Sequence, residues 1–330
     1  MSQIIVDKKQ ENITEKKTIK TYLAKLAPLL ALILLSGILT FLSDKFLTVN
    51  NLMNIARQSS INALLAIGML LPILTAGIDL SVGSILAVSI MIMGIVSVSM
   101  SLNPVLGIIV CLAVGAGFGL LNGVLLTKLR LPHPFISTLG TQFIGRGIAL
   151  LVTAAAPIAG FPYIIQFVGR EFVGPIPVSF ILVIFVYVVM HIFLTRTQTG
   201  RYIYAIGGNP EAARLSGIKV DRVLIIVYTI SGFMAGLAGL VMVGRVNSAF
   251  PLAGVTYELD AIAAVIIGGA SFLGGVGTVA GTLIGAMIIA VLRNGLNLLN
   301  VSADSQMALI GVVIIAAVYV DVLRQRKKRK

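Results

Sequence analysis

Between Leu80 and Thr127 this chain runs for 48 residues without one aspartate, glutamate, lysine or arginine. A charge at the centre of a bilayer costs about 2.5–3.5 kcal/mol on insertion scales, and about 20 apolar residues cross the hydrocarbon as a helix. The stretch is too long for one crossing and too apolar for a soluble core, so it has to fold back inside a membrane. The composition agrees: 58% of the residues are hydrophobic and 11% charged, where soluble domains carry about 25% charged residues.

The other uncharged windows act as a ruler for spans. Leu26–Ser43, Gln58–Ile78, Phe172–Thr195 and Val223–Gly244 each fit one helix, and the 48-residue window divides into two near Asn103-Pro104. Ala261–Leu292 holds a further pair turning at Gly274-Gly275, Ser305–Val320 closes the series, and Phe135–Ala155 carries Arg146 within it. The sequence thus predicts an all-α, polytopic membrane bundle of about ten transmembrane helices. The pair at 261–292 also admits one span plus a re-entrant segment, which would lower the number of full crossings.

Charge placement orients the bundle. Of 25 lysines and arginines, nineteen lie in the two tails (six each), at Lys128 and Arg130, and in the 196–222 loop (five). The positive-inside rule puts these in the cytoplasm, with both termini. The expected layout is a basic tail at 1–25, a transmembrane domain at 26–320 containing the cytoplasmic loop 196–222, and a second basic tail at 321–330. The basic start shows no short apolar core with a small-residue cleavage site, so the first apolar run is expected to remain as an anchor. The net charge of +13 is pooled at ends and loops rather than on a folded basic face, so a nucleic-acid partner is not expected.

Glycines recur four apart at Gly115, Gly119 and Gly123, at Gly232 and Gly236, and at Gly277, Gly281 and Gly285. Such rows let helix backbones approach closely, either within one chain or across a dimer face. A faint echo between halves sets Gly77-Ile78-Asp79-Leu80 and Asn122-Gly123 against Glu258-Leu259-Asp260 and Asn294-Gly295, as inverted repeats in transporters do.

No catalytic constellation emerges. His133 and His191 are the only histidines and have no carboxylate nearby in sequence; Cys111 is the only cysteine. Neither a metal site nor a nucleophilic triad is expected. A phosphate-binding Gly-x4-Gly-Lys-Ser/Thr run is missing, so the chain is not expected to hydrolyse ATP.

The long hydrophilic interruption from Thr195 to Arg222 holds a short helix signal. Asn209 caps, Pro210 suits the first helical position, Glu211 complements the helix dipole and Gly217 ends the helix after about two turns. Ala212 and Ala213 allow close approach, which reads either as a peg for a soluble subunit's groove or as a plain connector.

Glu211-Ala212-Ala213 followed by Gly217 resembles the EAA-x3-G loop of ABC importer permeases. Its setting, with Gly207, Gly208 and Asn209, is similar to the sugar branch typified by ribose permeases. Further matches are Gly77 to Ser84, Thr138-Leu139-Gly140-Thr141 with Arg146-Gly147, Tyr257 to Gly269, and Asn294-Gly295-Leu296-Asn297, together spanning about residues 50 to 320. The Ile-x-Leu-Pro of the wider importer pattern is replaced by Val227-Tyr228-Thr229-Ile230, which weakens a maltose-type assignment.

The resemblance implies a permease subunit of the bacterial cytoplasmic membrane. It would pair with a second copy or a close homologue, dock two ABC ATPase subunits through the helix at Glu211 to Gly217, and receive sugar from an extracytoplasmic binding protein. ATP and magnesium would sit on the partner ATPase and no cofactor on this chain. A ribose-like pentose or an allose-like hexose is the expected cargo; more distant relatives carry branched-chain amino acids and nucleosides.

Polar residues inside the spans are functional candidates by default. Asp79, with Ser81 close by, either caps a helix junction or lines the pathway. Arg146 needs a carboxylate or carbonyl partner and either pairs structurally or lines the pathway, for which Thr141 is a further candidate. Glu258 and Asp260 open a span on the expected outer side, as caps or as contacts for the binding protein. Asn62, Asn122, Asn294 and Asn297 either bond sugar hydroxyls or tie helices together. The competing class is an ion-coupled secondary transporter, with Asp79, Glu258 or Asp260 as its proton or sodium site.

Overall fold

The computed structural model describes residues 26–131 and 133–329; the lysines of the first 25 positions and Lys330 lie outside them. The chain begins with α1 (Leu26–Leu42) and α2 (Val49–Leu74). Next come α3 (Val82–Gly94), which continues as a π-helical turn at Ile95–Ser99, α4 (Pro104–Lys128) and α5 (Pro134–Leu151). A short α6 (Tyr163–Arg170) precedes α7 (Val178–Arg196), α8 (Gln198–Gly208) and α9 (Pro210–Leu215). The last part holds α10 (Val220–Val246), α11 (Tyr257–Ile267), α12 (Val279–Leu298) and α13 (Ala303–Arg329). Two small antiparallel pairings complete the fold: β1 (Ile158–Ala159) with β4 (Ser248–Ala249), and β2 (Phe172–Val173) with β3 (Ile176–Pro177).

Among the described residues six helices are long and apolar enough to cross a membrane: α2, α3 with its π turn, α4, α7, α10 and α12. The apolar stretches of α1 and α13 are shorter. The long window does reverse at Asn103-Pro104, where the Asn103 side chain accepts from the Val105 amide and caps α4. The 261–292 pair turns through Gly269, Gly274 and Gly275, all at positive φ. Its first member, α11, has 11 residues, about 16 Å at 1.5 Å per residue, which is half a hydrocarbon core. The 172–195 window is also not all helix: Gly174 at φ +61 makes the β2–β3 hairpin, and α7 starts only after Pro177. Helix α2 starts nine residues ahead of its uncharged window, capped by Thr48, and tolerates Arg57 by laying it over the Phe172 ring.

Helices α2 and α10 form the centre, with α3, α4, α11 and α12 around them. Leu64 to Leu74 of α2 are buried throughout, as are Met234 to Gly244 of α10. α1, α7 and α13 lie outside and show apolar faces through Phe41, Phe185 and Ile315, as lipid-facing helices do. The glycine rows seal contacts within this one chain. A Cβ on Gly119 would overlap the Tyr228 carbonyl, one on Gly232 the Gly115 carbonyl, and one on Gly285 the Ala264 carbonyl.

Two backbone interruptions meet inside the bundle. The α2–α3 break carries Ala76 at φ +59; the α10–α11 break carries Asn247, Gly254 and Thr256 at positive φ. Gly83, just after the first break, lies so close to the Gly254 carbonyl of the second that no Cβ fits. Asp79, Gly83 and Gly254, where the two breaks meet, are buried, and irregular backbone is tolerated there because protein surrounds it, whereas Ala76, Leu252 and Val255 are exposed. The end of α2, the end of α8 and the 268–278 turn come together at one pole: the Gly275 amide donates to the Leu74 carbonyl at 2.9 Å and the Tyr204 hydroxyl to the Gly277 carbonyl at 3.0 Å. α6, the β2–β3 hairpin and the end of α10 mark the other pole.

Candidate coupling and translocation sites

The short helix α9 forms as its sequence requires. The Asn209 side chain accepts from the Glu211 and Ala212 amides, both at 3.0 Å, and Pro210 needs no amide partner. At the other end Gly217 takes φ +83, so its amide reaches the Arg214 carbonyl and the Ile218 amide reaches that of Ala213. This is the paired closure a left-handed residue after the helix makes possible. Ala213 faces inward, whereas Glu211, Ala212 and Leu215 are exposed, Leu215 by 82%. The ion pairs of Arg214 with Glu211 and Asp221, at 3.9 and 3.8 Å, are solvent-exposed and worth little. Gly207 packs without room for a Cβ against the Leu74 carbonyl and the Gly275 amide; Gly208 stands open. Leu215 was not singled out from sequence, where a single leucine in a polar loop carries no signal.

Asp79 sits fully buried between α2 and α3. The Ser81 amide and hydroxyl donate to its Oδ1, and the Ser231 hydroxyl of α10 donates to Oδ2 at 2.7 Å. Asn122 of α4 donates from Nδ2 to Ser81 Oγ at 2.8 Å, and Thr141 of α5 donates to Asn122 Oδ1. Asp79, Ser81 and Thr141 are therefore brought together, with Asn122 and Ser231, into one chain of hydrogen bonds tying the four helices α3, α4, α5 and α10. Interhelical bonds of this kind contribute about 0.6–2 kcal/mol each in membranes. Tyr228 lies beside this cluster, its hydroxyl buried without a hydrogen-bond partner.

Arg146 finds carbonyl partners: its Nη1 donates to Pro251 O at 2.6 Å and Ala253 O at 2.8 Å, holding the α10–α11 loop. Glu258 and Asp260 are buried in the first turn of α11 and point into the bundle. Gln142 Nε2 donates to Glu258 Oε1 at 3.3 Å, and Arg293 of α12 pairs with Asp260 at 2.6 Å. Asn294 exchanges two hydrogen bonds with Asn51, at 2.8 and 3.0 Å, and Asn297 accepts from Gln306 at 2.8 Å. Asn62 differs from all of these, because neither of its buried side-chain atoms has a partner. It lines a cavity of about 100 Å³ together with Gln58, Arg245, Tyr257, Asp260 and Arg293. His133 caps α5 by accepting from the Phe135 amide at 3.1 Å, and Cys111 is packed against the Gly236 carbonyl.

The model of the family described as branched-chain amino acid transport system / permease component matches residues 51–318. The chain belongs to this family. Within it, the permease is 45% identical over 315 residues to the ribose import permease protein RbsC of Escherichia coli (strain K12), covering 93% of this chain and 96% of that one. The same identity and coverage hold for the ribose import permease protein RbsC of Bacillus subtilis (strain 168) over 312 residues. The D-allose transport system permease protein AlsC of Escherichia coli (strain K12) is 43% identical over 284 residues, 84% of this chain and 85% of that one. No solved structure matches the permease.

Proposed function

We propose that the permease is the membrane-spanning subunit of an ATP-driven ABC importer that carries a monosaccharide, a ribose-like pentose or an allose-like hexose, into a bacterial cell. The carrying observation is the 45% identity to ribose import permeases along 93% of the chain. Relatives named for allose, fructose and galactose transport support the sugar class over the amino acids in the family's description. The chain is a transport subunit and not an enzyme, so ATP and magnesium belong to a separate ATPase.

In this reading α9 is the element on which an ATPase subunit bears. It is capped at both ends, exposes Glu211, Ala212 and Leu215, and follows α8, whose Gly207 touches both Leu74 and the 268–278 turn. A push on α9 then reaches the ends of α2 and α11 through backbone contacts. The other pole, with α6 and the β2–β3 hairpin, faces an extracytoplasmic sugar-binding protein. Both termini and loop 196–222 are cytoplasmic, the membrane is the bacterial cytoplasmic one, and two permease copies or close homologues form the pore. The domain layout is the transmembrane 26–320 with basic segments 1–25 and 321–330. The chain crosses about ten times, one crossing being shared by the 247–256 loop and the short α11.

The test is uptake of labelled ribose and allose into proteoliposomes holding the permease with its cognate ATPase and binding protein. ATP-dependent uptake that persists without proton or sodium gradients is the expected result. Gradient-driven uptake by the permease alone would overturn it in favour of a secondary transporter.

A further inference from the structure

Arg146 spends only part of its guanidinium on the α10–α11 loop. Nη1 bonds the Pro251 and Ala253 carbonyls, whereas Nη2 and Nε make no hydrogen bond and are not sealed from the surface. Gln142, one turn earlier on α5, gives Nε2 to Glu258 and leaves Oε1 open in the same way. Both side chains are half-buried. Beside them the loop turns through Gly254 and Thr256 at positive φ, with Leu252 60% and Val255 50% exposed.

This edge lies at mid-depth. A Cβ on Gly145 would touch Ser84 and Phe118, and Gly254 is pressed on Gly83 beside Ser84. Phe118 stands about 15 Å of helix from the Lys128 end of α4 and about 21 Å from its Pro104 end. A guanidinium pinned there cannot snorkel to either interface. Lipid tails offer no partner to Nη2, Nε or Oε1, and an ionisable group so deep faces the bundle interior or a water-filled cavity. The loop points the same way: irregular backbone at membrane depth stands only where protein surrounds it or where it lines such a cavity, and this chain does not cover Leu252 and Val255.

The open atoms state what chemistry fits. Neighbours at i and i+4 on α5, Arg146 offers donors and Gln142 an acceptor, while Glu258 gives Oε1 to Gln142 and keeps Oε2 buried beside Gly83. A hydroxyl both accepts and donates, so a polyol passing this edge meets both. We infer that the edge of α5 carrying Gln142 and Arg146, with loop 251–256, lines the water-filled pore between two permease copies, and that Arg146 Nη2 and Nε and Gln142 Oε1 bond the hydroxyls of the sugar in transit. The inference rests on the importer reading, which supplies the second copy and the sugar.

The test uses the permease assembled with its cognate ATPase and binding protein in nanodiscs, cycling with ATP, in a Cys111→Ser background. Val255→Cys on the lining is compared with Phe185→Cys, 65% exposed on the apolar outer face of α7, by the rate of labelling with a small charged methanethiosulfonate. Val255→Cys should label at least roughly tenfold faster, because the reacting thiolate forms only where water reaches it. Equal rates, or a Val255→Cys thiol that never labels, would overturn the lining. A second measurement takes Arg146→Lys in proteoliposomes, a variant that keeps a cation for the loop carbonyls and loses the free donors. Ribose imported per phosphate released should fall about tenfold, the loss of one hydrogen bond to a charged group, at an unaltered melting temperature. An unaltered ratio, or a fall matched by a melting temperature lowered as far as Arg146→Met lowers it, would overturn the sugar contact. Labelling needs no transport, so failure of the unsubstituted importer to take up ribose strikes the importer reading and leaves the lining to be decided by the thiol rates.

Discussion

At the scale of single residues, Asp79 and Asn62 illustrate opposite fates of a buried polar group. Asp79 accepts from Ser81 and Ser231, and through Ser81 supports Asn122 and Thr141. Asp79→Ala removes an acceptor from two buried hydroxyls, at a cost of about 1–3 kcal/mol for each group left unsatisfied. The expected outcome is a clearly lowered melting temperature in mild detergent, while Asp79→Asn, which keeps one oxygen in place, loses less. Since Asp79 is engaged in holding helices, Asp79→Asn should also leave uptake independent of sodium and of pH, measured in proteoliposomes; a lost sodium response would instead revive ion coupling. Asp79, Ser81, Thr141 and Arg146 stand out in the sequence as unusual for a membrane interior. Their partners do not, because Ser231 lies 152 positions from Asp79 and the Arg146 acceptors are backbone carbonyls more than 100 positions away. The asparagines read alike in sequence, yet Asn294 ties to Asn51, Asn297 to Gln306, and Asn62 to nothing.

At the scale of elements, the α4–α10 contact depends on missing side chains. Gly119→Ala would drive a methyl into the Tyr228 carbonyl, whereas Gly117 on the same helix has open space around it. Overpacking a close contact costs about 1–3 kcal/mol, so Gly119→Ala should lower the melting temperature and Gly117→Ala should not, by differential scanning fluorimetry. For α9, Glu211→Lys reverses charge on the exposed face, and Gly217→Pro forbids the φ of +83 that closes the helix. Both variants should insert normally yet uncouple ATP hydrolysis from uptake, read as the ratio of sugar imported to phosphate released. Unchanged coupling in both would count against docking at α9. This helix was legible because its signals are local: a cap, a proline and a glycine within nine residues. The start of α7 was not, because counting charges passes over Gly174 and Pro177, where a turn chemistry without charge breaks the span. α6 and α8 escaped for the related reason that neither is long and apolar.

At the scale of the whole molecule, α7 separates the two poles by 19 residues, about 28 Å of helix and close to one hydrocarbon thickness. In a Cys111→Ser background, Val173→Cys in the hairpin should react with an impermeant thiol reagent on intact cells. Leu215→Cys on α9 should react only after the membrane is opened. Both sites are exposed, so the contrast reports sidedness, and labelling in the reverse order would invert the proposed topology. Composition, the uncharged windows and the lysine and arginine bias determined by themselves that this is a helical membrane protein, roughly where it turns and how it is expected to sit, because the bilayer acts on each segment through its local hydropathy and charge. The capped α9 and the motif spacing pointed to the transporter family for the same local reason. Only the tertiary structure decided that the two backbone breaks meet at Gly83 and Gly254, that α11 is half a span, that the glycine rows are spent inside one chain, and that the Asn62 amide is buried without a partner. Those facts depend on contacts between segments far apart in sequence, and hydropathy is blind to which buried face meets which.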